Sequence, residues 1–361
     1  MEQELIKNFG KNNQISALEA RSRAQKIAFA PIVYQATRAL RDLGILALLM
    51  REREHGMDVP GIAAELGLSI YGVAVLLEAG LGAEVVYLED RCYFLSKVGY
   101  IILNDELTRV NVNFVGDVCY RAMDKLQQAI VDEKPSGLKE FGPWDTVYEG
   151  LTQLPEHVKK SWFEFDHFYS NGAFGTVLPM VFANSPQHIV DVGGNTGRWA
   201  QKCLEYDKDV RMTVVDLPGQ VELIAGNLSG AGFDGRFETC VINMLEDGME
   251  FPEQADVIWM SQFLDCFSEE EVVRILTRAR RSMSSHTSLF ILETFWDRQR
   301  FDAAAFSLVN TSLYFTCIAN GNSKMYHSDD MKSCAELAGL ELVLQTDDIG
   351  LGHTLLEYRS V

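Results

Sequence analysis

The sequence predicts an α/β fold, a mostly parallel sheet with helices on both faces, preceded by a mainly helical N-terminal part. After residue 187, apolar patterns rich in β-branched residues alternate with helical patterns, which is the arrangement that builds a parallel sheet. Three glycines crowd together directly after the first of these strands. Before them, residues 59–95 carry two short helical patterns followed by a hairpin pattern.

Length and composition are those of an ordinary soluble globular protein with two domains. The chain has 361 residues, of which 47% are apolar and 23% are charged. We place the predicted domains at residues 1–155 and 156–361. No apolar run is long enough to span a bilayer, and the acidic start Met1–Glu4 lacks the features of a signal peptide. The sequence therefore predicts a cytoplasmic protein without a membrane partner.

Charge and cysteine usage exclude several classes of function. The formal net charge of −19 disfavours nucleic acids and anionic membrane surfaces, because binding to phosphate needs clustered Lys and Arg. The seven cysteines are scattered and contain no C-x-x-C pair. They are typical of buried thiols in a reducing compartment, and we expect neither a metal site nor a disulfide framework.

The first fifty residues predict two helices. Residues 1–30 have an amphipathic pattern that includes Ile6 and Phe9, and Pro31 suits the first turn of a second helix. Residues 32–51 are more apolar than one packing face requires. The excess indicates either a subunit interface or burial within the helix's own domain.

A winged-helix pattern follows. One short helix ends at Gly67, Ser69 can cap the next, and two strand patterns at 84–88 and 92–95 form a hairpin. Such a motif commonly binds DNA. However, residues 70–78, where a recognition helix would lie, contain no Lys or Arg, so DNA is not an expected partner.

The segment between the two predicted domains is interpreted as helical. Residues 105–160 read as helices and turns that bridge the domains, and an aromatic-rich segment follows before the glycines. This segment favours either a pocket for a flat ligand or a plain aromatic core. Its aromatic residues are Trp162, Phe163, Phe165, Phe168, Tyr169 and Phe174.

Seven strands are predicted in the C-terminal part. The last two are joined by a glycine-containing turn and are expected to form a terminal antiparallel hairpin. The predicted strands lie at 188–192, 211–215, 237–242, 255–260, 288–292, 341–346 and 353–359, with helices near 198–206, 219–229, 268–283, 303–318 and 328–338.

The glycine turn is the strongest local signal. Asp191 lies near the end of the first strand, Gly193, Gly194 and Gly197 follow, and a helix opens at Arg198. Glycines allow φ > 0 and close approach of a ligand, and a helix N-terminus offers free N–H groups. The spacing is not G-x-G-x-x-G, which argues against a nicotinamide enzyme, and there is no P-loop lysine.

The layout acidic-x-Gly-x-x-x-Gly resembles the first motif of the S-adenosylmethionine (SAM) methyltransferases. Asn195 stands where that motif often has its middle glycine, and Asn tolerates the left-handed conformation better than most residues. In that family the loop wraps the methionine part of SAM. Asp216, at the end of the second strand, is placed to accept hydrogen bonds from ribose hydroxyls.

The resemblance extends over nearly the whole chain. Asp191-Val192-Gly193-Gly194 and Asp216-Leu217-Pro218 are similar to two motifs of the plant caffeic-acid-type O-methyltransferases and their bacterial hydroxyneurosporene-type relatives. The resemblance implies a Rossmann-like SAM-methyltransferase domain behind a winged-helix homodimerisation domain. It also implies that Leu217 joins Asp216 in the cofactor site.

The same resemblance assigns three more cofactor residues. Asn243 and Met244 fall where the family has an Asp-Met pair against the adenine. Met244 would pack on the ring, and Asn243 would bond its amino group. Ser261 occupies a position that is often Lys in the family.

The expected catalytic position departs from the family. Leu264-Asp265-Cys266-Phe267-Ser268-Glu269-Glu270 resembles the motif L-H-D-W-S-D-E, whose His removes a proton from the substrate phenol. Asp265 stands at that position, and Glu293 matches a Glu that orients the His. The family's second orienting Glu falls near Met325 and is absent.

Magnitudes show what this exchange means. A phenol has a pKa of ~10, a free His ~6.5 and a free Asp ~3.9, so deprotonation is uphill by about 5 kcal/mol with His and about 8 kcal/mol with Asp. Burial beside Glu293 can raise the pKa of Asp265 and reduce this difference. The rival bases are three histidines, His167, His327 and His353.

These observations lead to one functional hypothesis. The chain is expected to be a SAM-dependent methyltransferase that methylates an oxygen of a small hydroxylated aromatic or polyketide-like molecule, with Asp265 and Glu293 as catalytic residues. Two alternatives stay open. One is C-methylation of an activated ring, and the other is a regulator that binds SAM without catalysis.

Overall fold

The computed structural model describes residues 15–246, 251–252 and 254–361, which fold into two compact units. One unit ends at Gly116, and the other begins at Asp117. Ile6 and Phe9, from the first predicted helix, lie outside the described residues.

The unit that ends at Gly116 is mainly helical, as predicted. Gly67 (φ +66°) ends one helix, and the Ser69 hydroxyl accepts the N–H of Gly72 at 3.0 Å to cap the next. An antiparallel hairpin follows, with Val86 opposite Leu95. The elements are α1 (Ala17–Asp42), α2 (Ile45–Arg51), α3 (Val59–Leu66), α4 (Ile70–Gly82), β1 (Val86–Glu89), β2 (Cys92–Leu95), α5 (Lys97–Asn104) and α6 (Glu106–Phe114).

The predicted helix start at Pro31 is wrong. α1 continues through Pro31, although proline cannot donate the backbone hydrogen bond to the carbonyl of Ile27. The chain turns instead at Gly44, which adopts a φ of +82°. A proline is compatible with a helix interior when the surrounding turns hold the helix, whereas a left-handed glycine ends it.

The predicted domain boundary after residue 155 lies later than the division that the structure shows. Residues 117–155 pack within the second unit and do not form a bridge. The Cys317 thiol donates to the carbonyl of Ala122 at 3.3 Å, and Gly137 packs directly on Cys317. These contacts join residues nearly two hundred positions apart, which local sequence patterns cannot indicate.

The second unit contains the predicted alternation of strands and helices. Its helices are α7 (Leu126–Asp132), α8 (Val147–Gly150), α9 (Glu156–Val181), α10 (Arg198–Tyr206), α11 (Pro218–Gly230), α12 (Glu269–Arg281), α13 (Asp302–Tyr314) and α14 (Ser328–Leu337). Its strands are β3 (His188–Val192), β4 (Arg211–Asp216), β5 (Phe237–Val241), β6 (Val257–Ser261), β7 (Ser288–Glu293), β8 (Leu340–Ile349) and β9 (His353–Ser360).

The seven strands form one sheet in the order β5-β4-β3-β6-β7-β9-β8. β3 pairs in parallel with both β4 and β6, so the strand order reverses between β3 and β6. β9 is antiparallel to both β7 and β8. The predicted fold class, a mostly parallel Rossmann-like sheet with a terminal antiparallel hairpin, is confirmed.

Each face of the sheet carries its own apolar core because neighbouring strand residues point to opposite faces. Val190 faces a cluster completed by Ile275 of α12 and Met331 of α14. Ile189 faces the other cluster, where α9, α10 and α11 pack. In the second cluster, the indoles of Trp199 and Trp259 stack with ring centroids 4.0 Å apart.

In the described part of the chain, no single helix is both long enough and apolar enough to span a membrane. Only α3 and α4 taken together meet these criteria, and the two helices are sharply bent relative to each other.

The start of α12 is fixed by a capping box. The Ser268 hydroxyl accepts the N–H of Glu271 at 3.3 Å, and the Glu271 carboxylate accepts the N–H of Ser268 at 2.8 Å. We expect Ser268→Ala to lower the free energy of unfolding by about 1 kcal/mol, as measured by urea denaturation.

Ser307→Ala is the matched control for this substitution. Ser307 lies inside α13, where its hydroxyl donates to the carbonyl of Ala303 in its own helix, so its loss should be close to neutral. Equal effects of the two substitutions would contradict the capping role of Ser268.

Candidate functional site

The site lies at the point where the strand order reverses. In open α/β sheets, ligands bind in the crevice outside the carboxyl ends of the strands that flank such a point. Here these strands are β3 and β6. The glycine turn follows β3, and the segment with Asp265 follows β6, so the fold brings the two predicted halves of the site to one edge.

The glycine turn has the backbone that its sequence predicts. Gly193 and Gly197 have φ values of +75° and +80°, and Asn195 is left-handed at +52°. A Cβ on Gly193 would lie 2.3 Å from the Phe263 ring, and one on Gly194 would lie 2.2 Å from Val214. Larger residues at these two positions would displace the turn or its neighbours.

Asp216 holds the turn in place. Its Oδ2 accepts the N–H of Asn195 at 2.8 Å, and its Oδ1 accepts the N–H of Leu217 at 2.7 Å. Burial raises the pKa of Asp216 to about 6. The side chain is half-buried, so its carboxylate can also reach a ligand in the crevice.

Asp191 is a buried carboxyl group beneath the turn. It is 2% exposed, and its Oδ2 has no hydrogen-bond partner among the described residues. Burial, together with the nearby charge of Asp216, raises the pKa of Asp191 to about 8.

The end of β6 carries two further polar atoms that lack a partner within the described part of the chain. They are the Ser261 hydroxyl and the Gln262 side-chain oxygen, and both are buried. Gln262 has a φ of +46°, a conformation that non-glycine residues rarely adopt. Buried polar atoms of this kind indicate a ligand that would satisfy them.

The two predicted adenine residues have local roles as well. The Asn243 side chain accepts the N–H of Leu245 at 3.0 Å and donates to Glu246 at 3.1 Å. Met244 is buried in the cluster on the α12 face of the sheet. The bond donated to Glu246 distinguishes Asn243 from the Asp of the family, because a carboxylate at this position could not donate it.

Asp265 lies in a one-turn helix, Leu264–Cys266, directly beyond β6. The side chain is 7% exposed, and burial raises its pKa to about 6, while a hydrogen bond from the Cys266 thiol opposes this rise. Glu293, at the end of β7, accepts the N–H groups of Phe263 and Leu264 at 2.9 Å each. Glu293 thereby fixes the turn that carries Asp265.

Glu293 is itself buried and unusually basic. Its Oε2 has no hydrogen-bond partner in the described structure, and burial and the Asp265 charge raise its pKa. The Asp265 charge thus acts on Glu293, whereas the rise in the pKa of Asp265 comes from burial. Met325, near which the family's second orienting Glu would fall, is buried.

The three histidines differ in their surroundings. His327 caps α14 by accepting the N–H of Asp329 at 3.1 Å. His353 is fully buried, and burial lowers its pKa to about 4. His167 lies beside the glycine turn, with its Nε2 3.4 Å from the Thr196 hydroxyl, and burial and the charge of Arg198 lower its pKa to about 4.

Sequence reasoning missed Asp166, which lies on α9 next to His167. Its carboxylate accepts a 2.8 Å hydrogen bond from the Asn195 side chain. Burial and the charge of Asp265 raise its pKa to about 7. The aromatic segment was singled out for its rings alone, although an acidic residue inside that segment was a usable signal.

Two aromatic hydroxyls lie near Cys266, the residue that follows Asp265. The Trp162 indole donates to the Tyr314 hydroxyl at 2.6 Å, and the Cys266 thiol lies close to both Tyr314 and Tyr148. Burial raises the pKa of both tyrosines, so they stay protonated. Tyr148 belongs to the segment that the sequence assigned to the first domain.

Across the described residues, no cluster of three or more His, Cys, Asp or Glu side chains is suited to hold a metal ion. The site instead contains many carboxyl groups and few cationic side chains. Such a set can accept hydrogen bonds from hydroxyls and can stabilise a cationic ligand.

The raised pKa of Asp191 makes ligand-free stability depend on pH. Because the folded state holds this proton more tightly than the unfolded chain, its contribution is complete below about pH 4 and is lost as pH rises through about 8. We expect the free energy of unfolding to fall over this window. Asp191→Asn should reduce the fall by a few kcal/mol.

Urea unfolding at about pH 5 and about pH 8, without added ligand, measures this effect. Asp209→Asn makes the same chemical change at an exposed position and should leave the pH dependence as it is. If the two variants give the same slope, Asp191 does not carry the effect.

Comparison with known proteins agrees with this architecture. Residues 21–93 match the family model of the Dimerisation2-like domain, and residues 173–340 match that of the O-methyltransferase domain. The second match contains the glycine turn, Asp216, Asp265 and Glu293.

Curated relatives and solved structures agree with these family matches. The L-tyrosine C(3)-methyltransferase of Streptomyces lavendulae is 22% identical over 71% of this chain and 70% of its own length. The structure of the S-adenosylmethionine-dependent methyltransferase SibL aligns with a TM-score of 0.71 and 20% identity, covering 94% of this chain and 99% of that chain.

The structure of the mitomycin 7-O-methyltransferase MmcR aligns with a TM-score of 0.72 and 18% identity, covering 95% of this chain and 98% of that chain. These structural likenesses show a shared fold, and the two family matches follow the division of the chain into a helical part and a sheet-containing part. The chain therefore belongs to the O-methyltransferase family, and it is a SAM-dependent methyltransferase with an N-terminal dimerisation-type domain.

Proposed function

We propose that this methyltransferase transfers the methyl group of SAM to a hydroxyl oxygen of a small aromatic or polyketide-like acceptor. The observation that carries this proposal is the buried Asp265 at the crevice edge, on a turn fixed by Glu293 and flanked in the chain by Phe263 and Phe267, whose ring centroids lie 4.9 Å apart. A flat acceptor can pack against such rings while its hydroxyl reaches the carboxylate.

The polar groups at the crevice fit SAM. Its ribose hydroxyls suit the half-buried Asp216 carboxylate, and the Asp191 Oδ2, which has no partner among the described residues, suits a donor group of SAM. Gly193, Gly194, Asn195 and Gly197 form the turn over which it would lie. We assign lesser contacts to the other predicted cofactor residues, which are Leu217, Asn243, Met244 and Ser261.

SAM, when bound, supplies a methyl group on a positively charged sulfur. Asp265 accepts the proton of the acceptor hydroxyl, the oxygen forms the new bond to the methyl carbon, and the sulfur–methyl bond breaks. The electron pair of that bond would stay on the sulfur, and the thioether S-adenosylhomocysteine would be the leaving product. Glu293 does not touch the acceptor and acts by positioning the turn that carries Asp265.

Burial makes Asp265 a better base than an ordinary aspartate. Its pKa of about 6 lies close to the ~6.5 of a free histidine, so deprotonation of a phenol of pKa ~10 is uphill by about 5 kcal/mol and not about 8. Burial therefore removes most of the additional free-energy cost of deprotonation that an Asp has at the position where the family has a His.

We predict that Asp265→Asn lowers kcat/KM by about 100-fold or more, the range that a general base contributes. In the unmodified enzyme, kcat/KM should rise with pH through about 6 as Asp265 ionises, and this rise should vanish in Asp265→Asn. Asp209→Asn, at an exposed turn, is the control of equal charge change.

The assay is formation of S-adenosylhomocysteine with a panel of hydroxylated aromatics that includes tyrosine, followed by NMR location of the methyl group. Unchanged turnover in Asp265→Asn would show that Asp265 is not the base. A methyl group on carbon would support the second candidate, C-methylation, which the similarity to L-tyrosine C(3)-methyltransferase favours.

A regulatory role without catalysis is the weaker alternative. α4, at the position of a recognition helix, contains neither Lys nor Arg, so we propose that nucleic acid is not a partner. The chain's seven cysteines form no disulfide, in keeping with the proposed cytoplasmic location. A DNA mobility shift at low salt would support the regulatory role.

We also propose that the protein is a homodimer formed through its N-terminal unit. Residues 21–93 match the Dimerisation2-like domain, and α1 leaves large apolar side chains exposed. Phe29 and Ile32, one helical turn apart on α1, are 55% and 63% exposed. Burial of these side chains against a second copy would remove apolar surface from water.

We expect light scattering to give twice the mass of one chain, and the double substitution Phe29→Asp with Ile32→Asp to give the mass of one. Burial of two carboxylates at an apolar interface would cost more free energy than the apolar contact contributes. Val131→Asp changes an even more exposed apolar residue outside α1 and should leave the mass unchanged. A monomeric unmodified protein would refute the proposal.

A further inference from the structure

Asp265 has a fixed backbone, but its carboxylate requires a contact of its own. Glu293 binds two backbone N–H groups at 2.9 Å each, so it holds the main chain before Asp265 and not the carboxylate itself. The terminal torsion of an aspartate is broad, so a carboxylate without a partner can rotate over a wide range. A general base must point one oxygen at the proton that it accepts, and this requires a bond to the carboxylate.

The Cys266 thiol makes such a bond. Its sulfur lies 3.5 Å from the Oδ1 of Asp265, and the thiol donates a hydrogen bond to this oxygen. Burial and the charge of Asp265 raise the pKa of the thiol, so it stays protonated and remains a donor at neutral pH. The bond uses Oδ1, and Oδ2 can therefore receive the proton of an acceptor hydroxyl.

Cys266 is itself held on both sides. Its N–H donates to the Phe263 carbonyl at 3.2 Å, and its carbonyl accepts a hydrogen bond from the Asn320 side chain. The next carbonyl, that of Phe267, accepts the Tyr326 hydroxyl at 2.6 Å. These bonds hold the turn that carries the thiol, so the direction of the thiol toward the carboxylate is set by the fold.

Other titratable groups face this carboxylate. The Tyr148 hydroxyl is buried, has no hydrogen-bond partner among the described residues, and lies close to the Cys266 thiol. A hydrogen bond that the thiol donates favours the ionised form of Asp265, whereas burial disfavours it. The groups whose pKa responds to the charge of Asp265 are Cys266, Glu293 of β7, Asp166 of α9, Tyr148 of α8 and Tyr326 ahead of α14.

A thiol at this position suits an aspartate as the base. In the motif L-H-D-W, Asp265 stands at the position of the His, and Cys266 stands at the position of the Asp that follows it. An ionised aspartate at position 266 could accept hydrogen bonds but could not donate one, and it would repel the charge of Asp265. A thiol is neutral and can donate, so the two departures from the motif are compatible with each other.

We propose that Cys266 is a positioning residue of the methyl transfer, whose thiol holds the Oδ1 of Asp265 and so turns the Oδ2 toward the acceptor hydroxyl. The thiol does not touch the acceptor, and no bond to its sulfur forms or breaks in the reaction. This inference rests on the proposed function, in which Asp265 is the base. It is independent of the identity of the acceptor.

Titration of the Asp265 carboxyl group by NMR tests the contact directly. With aspartate isotope-labelled at its carboxyl carbon, the signal of Asp265 is the one that disappears in Asp265→Asn. Cys266→Ala removes the donor, so the midpoint of this titration should rise from about 6 by roughly half a pH unit to one unit. Cys266→Ser keeps a donor and should titrate at or below the midpoint of the unmodified protein.

The pH profile of kcat/KM tests the same contact during catalysis. In Cys266→Ala, the rise of kcat/KM should move to higher pH by the same amount as the NMR midpoint, and Cys266→Ser should restore its position. A purely structural role of Cys266 would lower kcat/KM at every pH and leave the midpoint in place. Cys92→Ala makes the same chemical change at a partly buried residue of β2 and should move neither midpoint.

An unchanged NMR midpoint in Cys266→Ala would overturn the proposal. Equal upward shifts in Cys266→Ala and Cys266→Ser would do the same, since they would show that the donated hydrogen bond is not the cause. If Cys266→Ala does not fold, Cys266→Ser decides alone, because a midpoint above that of the unmodified protein contradicts the donated bond. An NMR midpoint that moves while the kinetic midpoint stays would support the contact and contradict Asp265 as the base, which is a failure of the proposed function.

Discussion

The Glu293 carboxylate is the interaction on which the arrangement of the site depends. One of its oxygens accepts two consecutive backbone N–H groups, those of Phe263 and Leu264, and so ties the end of β7 to the turn after β6. A single acceptor that serves two donors fixes both the position and the orientation of that turn. Asp265 follows directly, so its direction is set by a residue on the neighbouring strand.

The same turn reaches the cofactor side of the crevice. The Phe263 ring lies against Gly193, where even one added carbon atom would collide with it. Displacement of the turn would therefore move both the carboxylate at 265 and the ring that packs on the glycine turn. The two halves of the site are mechanically coupled through Phe263, although they follow different strands.

Electrostatics adds a second constraint. Five carboxyl groups at this edge of the sheet have raised pKa values, chiefly because they are buried: Asp166, Asp191, Asp216, Asp265 and Glu293. Without a ligand, burial of these groups opposes stability at neutral pH. At neutral pH Asp191, with a pKa of about 8, is mostly protonated, whereas Asp216 and Asp265, with pKa values of about 6, are mostly ionised and give the crevice a negative potential that would attract a cationic ligand.

Local signals were sufficient to predict much of the fold. The seven strands, the left-handed Asn195 and the cap at Ser69 follow from short-range patterns of β-branched residues, glycine and hydroxyl side chains. The passage of α1 through Pro31 did not follow from such local patterns, because tertiary packing can outweigh the preference of one residue.

Much of the site was also predictable from the sequence. Motif spacing placed Asp191, Asp216, Asp265 and Glu293 at the carboxyl ends of strands or just beyond them, since parallel strands end at one edge. Asp166 and Tyr148 were missed because they reach this edge from helices whose docking depends on distant contacts. No periodicity within α9 distinguishes a carboxylate that faces the crevice from one that faces solvent.

The stacked indoles of Trp199 and Trp259 have an optical consequence. Trp199 lies in the first turn of α10, two residues after Gly197, and Trp259 lies in β6, with the ring planes inclined by only 15°. Two chromophores at this separation couple their electronic transitions, and the coupling depends steeply on the distance between the rings. The optical signal of this indole pair therefore reports how tightly the helix after the glycine turn packs on the sheet.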